Sequence, residues 1–136
     1  MTSLHDLGLS VKRLQMKHHR AANEALASIG LTIVQWDALR HLSERPGSSL
    51  HDLAVLTFQT DQAFGTLAAR LEDRGLIARA AGAGRAIRPV LTAKGERLFQ
   101  EGVSLTRGVL EESFGPLDAG ELQQLDTLIA KLLASG

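Results

Sequence analysis

Residues 49–77 read SLHDLAVLTFQTDQAFGTLAARLEDRGLI, and this stretch predicts two short helices joined by a tight break. Ser49 and Thr60 carry the hydroxyl side chains that cap helix N-termini, and Gly75 suits the left-handed position that ends a helix. The apolar residues follow the spacing of helices that bury one face: Leu50, Leu53, Ala54 and Leu56, then Phe64, Leu67, Ala68 and Leu71. Two such helices in direct succession predict a helix-turn-helix.

A β-hairpin is predicted directly after the helix pair. Residues 76–79 and 86–91 have the apolar content of strands, and the small residues at 80–84 form the turn between them. Because Pro89 lacks a backbone N–H, its strand is expected at the edge of a sheet. The helix pair and the hairpin together predict a winged helix-turn-helix over residues 31–91.

Long helices are predicted on both sides of this unit. Residues 3–29 form the first helix, and Thr92 and Asp118 cap the last two. The final helix carries a wide apolar face made of Leu122, Leu125, Leu128, Ile129, Leu132 and Leu133. Such a face needs a partner, so residues 1–30 and 92–136 are expected to form the interface of a homodimer. The predicted fold class is mainly α, a single domain of six helices with a small β-hairpin wing.

The composition limits the classes of function. The chain has 136 residues, which fits one domain, and no cysteine, which excludes disulfides and thiolate chemistry. It has no apolar run of transmembrane length and no apolar signal segment, so a cytoplasmic location and no membrane partner are expected. The net charge is 0, but residues 45–100 carry eight Lys or Arg against five Asp or Glu, and residues 101–136 carry two against six. This asymmetry favours a DNA-facing centre and a remote acidic end.

Four stretches, taken in order, resemble the MarR family of bacterial regulators. They are LTIVQWDAL at 31–39, LHDLA at 50–54, LAARLEDRGLI at 67–77 and VLTAKG at 90–95. The resemblance extends over essentially the whole chain, including the helices on either side of the DNA-binding unit. It implies a dimer whose terminal helices form the interface and whose recognition helices read a pseudo-palindromic operator in double-stranded DNA. It also implies a transcriptional repressor that a small molecule releases from DNA.

The segment 60–70 is the expected recognition helix, whose N-terminal half enters the major groove. Gln62 has the amide that pairs with adenine, and Thr66 can touch a thymine methyl group or a phosphate. The candidate DNA-binding residues of this helix are Thr60, Asp61, Gln62, Ala63, Thr66 and Arg70. Two alternatives stay open. Exposed polar residues are also ordinary solvated positions, and Arg70 can pair with a neighbouring acidic residue.

Two arginines of the hairpin are the other DNA-binding candidates. Arg85 lies beside the glycine-rich tip and suits a narrow minor groove, whose negative potential attracts arginine. Arg88 is expected either at the DNA backbone or as an ordinary exposed strand residue. The sequence departs from the family pattern at Gly65, where Ser or Thr is common, and in a wing without an acidic residue. Asp61 at the helix N-terminus also repels phosphate, so few base contacts are expected.

A ligand site is expected among the first, second and fifth helices. Arg13 and His19 of the first helix can border a cavity there, and Trp36 can supply an aromatic wall. A cation beside an aromatic surface suits a small aromatic carboxylate, a type of effector that the resemblance also implies. The alternative interpretation assigns Trp36 to the core, where large aromatic side chains usually lie.

Two other classes of function are alternatives. An enzyme, a cofactor and a metal are not expected, because the sequence lacks an HExxH motif, a phosphate-binding loop, a nucleophile elbow and histidines at zinc-site spacing. The second alternative is a winged helix that binds a ligand or a protein and has weak or no affinity for DNA. The neutral charge, Gly65 and the acid-free wing favour it, and salt-dependent binding to duplex DNA distinguishes the two.

Overall fold

The computed structural model describes residues 2–81 and 87–135 and confirms the predicted fold class. Within those residues the elements in chain order are α1 (Leu4–Ala27), α2 (Ile33–Glu44), α3 (Leu50–Leu56), α4 (Asp61–Asp73), β1 (Ile77–Ala81), β2 (Ile87–Leu91), α5 (Ala93–Phe114) and α6 (Ala119–Ala134). The two strands pair antiparallel as a two-stranded sheet. The architecture is thus a helix-turn-helix, α3 and α4, followed by a wing and flanked by long helices.

Each helix begins at a residue that satisfies its first free backbone N–H groups. The Ser49 hydroxyl accepts a hydrogen bond from the backbone N–H of Asp52 at 3.0 Å, and the Asp52 carboxylate accepts one from the backbone N–H of Ser49 at 2.9 Å. Thr60 accepts from the backbone N–H of Ala63 at 3.1 Å. Such caps stabilise a helix by about 1 kcal/mol each, which sets where α3 and α4 begin.

The core lies between the helix-turn-helix and the two long helices α1 and α5. Its largest fully buried side chains are Leu26, Leu39, Leu53, Phe64, Leu71 and Leu76. Trp36 is also buried there; its indole Nε1 donates to the carbonyl oxygen of Phe99 at 3.1 Å, and the two rings stack with centroids 5.8 Å apart. Trp36 is therefore part of the core, and these contacts hold α2 against α5.

The start of α5 is attached to the end of the helix-turn-helix. The Thr92 hydroxyl donates to the carbonyl oxygen of Gly75 at 2.5 Å, and the Lys94 ammonium donates to that of Arg74 at 3.0 Å. Gly95 lies against the backbone of Leu76 so closely that a Cβ atom would overlap its carbonyl oxygen. The glycine of the VLTAKG stretch is therefore required by a backbone-to-backbone contact.

The last helix, α6, has no buried residue along its whole length. Leu132 and Leu133 are 72% and 79% exposed, and the N-terminal part of α1 also presents apolar side chains to solvent, among them Leu4, Leu7 and Val11. In the described part of the chain, no helix is long and apolar enough to cross a membrane. The protomer thus presents two apolar helix faces that its own core does not cover.

Candidate DNA-binding surface and ligand cavities

Helix α4 presents one polar ridge to solvent. Its apolar residues Phe64, Ala68 and Leu71 are buried, which turns the opposite side of the helix outward. On that side lie Gln62, Thr66 and Arg70, all exposed, at successive four-residue intervals. Residues four apart are neighbours on a helix surface, so these three predicted DNA-binding residues lie in one line.

Two hydroxyl groups at the beginning of this ridge form local hydrogen bonds. The Thr60 hydroxyl caps α4, and the Thr66 hydroxyl donates to the carbonyl oxygen of Gln62 at 3.2 Å. Ala63 is exposed, and a Cβ atom at Gly65 would meet nothing within 4 Å. At Ala63 and Gly65 the surface of α4 is therefore open and made of small residues, which permits close approach of a partner.

Asp61, the first residue of α4, is paired with a histidine of α3. The His51 Nδ1 and Asp61 Oδ1 atoms are 2.8 Å apart, and both side chains are exposed. The hydrogen bond to Asp61 and its negative charge raise the pKa of His51. When His51 is protonated, the pair carries no net charge, which removes the repulsion that Asp61 alone would exert on phosphate. This pairing was not evident from the sequence, because the two residues are ten positions apart.

The wing is attached to α4 by an ion pair. Arg79 of β1 donates through Nε to Glu72 at 2.7 Å. Glu72, one of the acidic residues near Arg70 on α4, is therefore bound by the wing. Arg88 of β2 is half-buried opposite Ala80, and hydrogen bonds from Ser49, assisted by the charge of Arg88, hold the pKa of Asp52 below its usual range. The predicted wing residue Arg85 lies outside the described residues.

Two of the three predicted ligand residues line a common cavity. A cavity of about 260 Å³ lies among α1, α2 and α5, where the sequence predicts one, and His19 and Trp36 both line it. Arg13 does not line this cavity; it borders a separate depression on α1, together with Lys12, Met16, Lys17 and Arg20. Within one protomer the structure thus brings His19 and Trp36 together and places Arg13 elsewhere. The reason is that six positions on a helix turn a side chain through about 600°, onto a different face.

The cation of this cavity is Arg40, which the sequence analysis missed. Its guanidinium carbon lies 5.9 Å from the centroid of the Trp36 ring, and its Nε donates to Glu44 at 3.0 Å. The missed signal is the four-residue spacing between Trp36 and Arg40 on α2. Asp37 lines the same cavity, and burial raises the pKa of its carboxyl group against the opposing effects of nearby cationic groups.

A larger, more apolar groove of about 660 Å³ adjoins this cavity and shares Trp36 and Arg40 with it. Phe99 and Val103 of α5 and Leu117 and Leu122 near the start of α6 line it further. The two spaces therefore meet at an arginine and a tryptophan. Such an arrangement combines a positive charge with an aromatic wall, the features that an aromatic carboxylate requires.

Comparison with known proteins identifies the family. Residues 29–86 match the sequence profile of the MarR family. The HTH-type transcriptional repressor Rv2887 of Mycobacterium tuberculosis is 31% identical over 128 residues, which cover 93% of this chain and 92% of the repressor. The chain belongs to the MarR family.

Solved structures agree with this assignment over nearly the whole MarR fold. The structure of Rv2887 in complex with p-aminosalicylic acid superposes with a TM-score of 0.79 at 31% identity and covers 93% of this chain and 97% of its own. The structure of Rv2887 in complex with DNA has a TM-score of 0.81 at 28% identity and covers 97% and 98%. A protein similar to this MarR-family chain has thus been observed both with DNA and with an aromatic carboxylate.

Proposed function

We propose that this chain is a dimeric transcriptional repressor that reads a pseudo-palindromic operator and leaves it when a small aromatic carboxylate binds. The observation that carries the proposal is the exposed ridge of α4 beside a two-stranded wing, in a family one of whose members has been solved with DNA. A two-fold dimer presents two such ridges to two half-sites. The family assignment favours this regulatory function over catalysis.

The proposed DNA contacts lie on α4 and on the wing: Thr60, Asp61, Gln62, Ala63, Thr66, Arg70, Arg85 and Arg88. Gln62 and Thr66 read base edges in the major groove, since they lie near the N-terminus of the recognition helix. Arg70 and Arg88 bind phosphates, which position the protein without reading sequence. Arg85 enters the minor groove at the wing tip.

The proposed dimer uses residues 1–30 and 92–136 as its interface and leaves 31–91 as the DNA-binding unit. The support is the exposure of apolar side chains on α1 and α6 in the isolated protomer. Large contiguous apolar surfaces of this kind mark interfaces between subunits. A second copy of the chain supplies the same two faces, so the contact can be self-complementary.

The proposed effector site is the cavity at Trp36 and Arg40, with His19 at its border. An aromatic carboxylate places its ring against Trp36 and its carboxylate near the guanidinium of Arg40. Arg13, expected from sequence as the ligand's cation, has no support from the geometry of one protomer. The cavity lies between the long helices and the DNA-binding unit, so a ligand there can alter how far apart the two recognition helices stand.

A mobility-shift experiment tests the proposal. Duplexes selected from random DNA by the purified protein are titrated at several salt concentrations, with and without p-aminosalicylate. The expected result is a pseudo-palindromic consensus, affinity that falls with increasing salt, and release by the carboxylate. If no consensus is selected and no duplex binds at micromolar protein and low salt, the proposed function is refuted. That result would favour the alternative, a winged helix that binds a ligand or a protein without affinity for DNA. The exposed Asp61 and the neutral net charge support this alternative.

The His51–Asp61 pair predicts that DNA affinity decreases as pH rises. Below its raised pKa, His51 is protonated and neutralises Asp61; above it, Asp61 faces the phosphates uncompensated. As the pH rises from about 6 to values above the raised pKa of His51, the affinity for DNA should fall about threefold. Fluorescence anisotropy with a labelled operator at constant ionic strength measures the change.

Two variants separate this effect from other titrating groups; Asp52, whose charge also raises the pKa of His51, has a lowered pKa and stays ionised throughout this range. His51→Gln should bind with the high-pH affinity of the wild type at every pH, and Asp61→Asn should bind more tightly and with a weaker pH dependence. Equal pH profiles for the wild type and His51→Gln would assign the dependence to other residues.

The ligand cavity predicts that Arg40, not Arg13, determines affinity for aromatic carboxylates. Arg40→Gln should weaken the binding of p-aminosalicylate about tenfold, because it removes a charge-assisted hydrogen bond beside Trp36. Isothermal titration calorimetry without DNA measures this directly. Arg97→Gln, an exposed change on α5 outside the cavity, is the matched control. A loss of affinity in Arg13→Gln with Arg40→Gln unaffected would restore the sequence-based expectation.

A further inference from the structure

Phe58, in the turn between α3 and α4, has an unusual backbone conformation and an unusually exposed side chain. Its φ is 57°, in the left-handed region, and its side chain is 98% exposed. In the part of the chain that the structure describes, the other residues with positive φ are glycines, namely Gly30, Gly47 and Gly75. A phenylalanine here is therefore a departure from the chain's own pattern.

The conformation of Phe58 is imposed by the way α3 ends. The backbone N–H of Phe58 donates to the carbonyl oxygen of Val55 at 3.2 Å, and that of Gln59 donates to the carbonyl oxygen of Ala54 at 2.8 Å. This pair of bonds is the Schellman motif, whose left-handed residue is usually glycine because a Cβ atom is disfavoured there. Glycine would close the turn with less strain, and the exposed ring gains no burial in exchange.

Phe58 lies in the short segment that leads into the proposed recognition helix. His51 and Val55 lie four residues apart on α3 and therefore on one side of this helix, and Phe58 follows two residues after the helix ends at Leu56. His51 on that side contacts Asp61, the first residue of α4, and Val55 is 61% exposed. Phe58 itself precedes the cap residue Thr60 by two positions. Val55 and Phe58 are thus two exposed apolar side chains in the segment that leads into α4.

We infer that Phe58 is a DNA contact, whose ring packs against apolar groups at the edge of the major groove. This inference rests on the proposed DNA-binding function. The N-terminal residues of a recognition helix approach the base edges, so a side chain two residues before its cap reaches the same edge. The apolar groups available there are the thymine methyl and the deoxyribose, and phenylalanine is a known partner of the methyl group.

The inferred contact explains why phenylalanine is present in spite of its backbone strain. The α4 ridge carries Arg70 as its one basic residue, and Asp61 at its start is acidic. A surface with so little positive charge gains affinity from apolar contact, which does not depend on counterion release. The strain is tolerated in the free protein and offset in the complex, where the ring is removed from water.

Phe58→Gly tests the inference, because glycine suits the left-handed turn while the ring is lost. On a duplex selected by the wild-type protein, the variant should bind about five- to tenfold more weakly at each salt concentration. The slope of log affinity against log salt should be unchanged, since no charge is removed. Its Tm should equal or exceed that of the wild type. An affinity within twofold of the wild type, or a changed subunit mass in sedimentation, would overturn the inference.

Three comparisons complete the test. Phe58→Leu keeps an apolar side chain and should retain most of the affinity, whereas Arg88→Gln should lower the salt slope by about one unit of charge. Replacing thymine by uracil in the duplex removes the methyl group. If the wild type then loses as much affinity as Phe58→Gly has lost, and Phe58→Gly loses no more, the ring contacts the thymine methyl. If the wild type loses no affinity, the ring contacts the sugar. Absence of wild-type binding would refute the proposed function itself, a result distinct from normal binding by Phe58→Gly.

Discussion

Leu132→Asp is expected to convert the protein from a dimer into a monomer and to weaken its binding to a two-half-site duplex by at least about a hundredfold. Leu132 is 72% exposed in the protomer and lies on the apolar face of α6, which the proposed second subunit covers. A carboxylate buried there without a partner disfavours the interface by several kcal/mol. A monomer then engages one half-site at a time and loses the gain from simultaneous binding. Sedimentation velocity and a mobility shift measure the two effects.

The matched control for this change is Gln123→Asp on the same helix. Nine positions separate Gln123 from Leu132, which places the two side chains on opposite sides of α6. The control adds the same charge and should leave both the subunit mass and the DNA affinity unchanged. A dimeric Leu132→Asp protein with wild-type affinity would place the interface elsewhere and contradict the proposed roles of α1 and α6.

Gly102→Ala is expected to lower the free energy of unfolding by about 2–3 kcal/mol. A Cβ atom at Gly102 would overlap the indole ring of Trp36, which is buried and is held by its hydrogen bond to Phe99. The ring cannot move without breaking that bond or opening the contact between α2 and α5. Urea denaturation gives the loss of stability, and because the chain has one tryptophan, its emission should shift to the red in the folded variant.

Gly108→Ala on the same helix is the control for Gly102→Ala. A Cβ atom at Gly108 would meet nothing within 4 Å, so the change tests helix propensity without a steric effect. It should raise the free energy of unfolding by about 0.5–1 kcal/mol, because alanine is a better helix former than glycine. Equal effects of the two substitutions would show that the contact with Trp36 does not constrain α5.

The ends of the helices were predictable from sequence because their signals are local. Ser49 and Thr60 each bond to a backbone N–H three residues later, as their spacing predicts. The buried stripe of α4 follows in the same way from the spacing of Phe64, Ala68 and Leu71. Once the stripe is known, the opposite ridge with Gln62 and Thr66 is known too. The exposed ridge of α4 could therefore be predicted from the sequence alone.

The cavity proposed as the ligand site could be predicted only in part. Its position among α1, α2 and α5 agrees with expectation, and so does its lining by His19 and Trp36. The identity of its cationic residue differs from expectation, because the structure places Arg40 beside the tryptophan and Arg13 on another face of α1. Which of several basic residues faces a cavity depends on how the helices are rotated against one another. That rotation results from the packing of the whole core.

The sequence alone thus determines most of the secondary structure of this protein. It indicates where helices begin and end, which of their faces are apolar, and that a hairpin follows the helix pair. Those features depend on contacts within a few residues, which helix and strand geometry fix in advance. Folding decided the contacts between different elements, such as His51 with Asp61, Trp36 with Phe99, and Gly95 against Leu76. It also left the backbone of Phe58 in a strained left-handed conformation and its ring exposed, which no pattern of spacing could indicate.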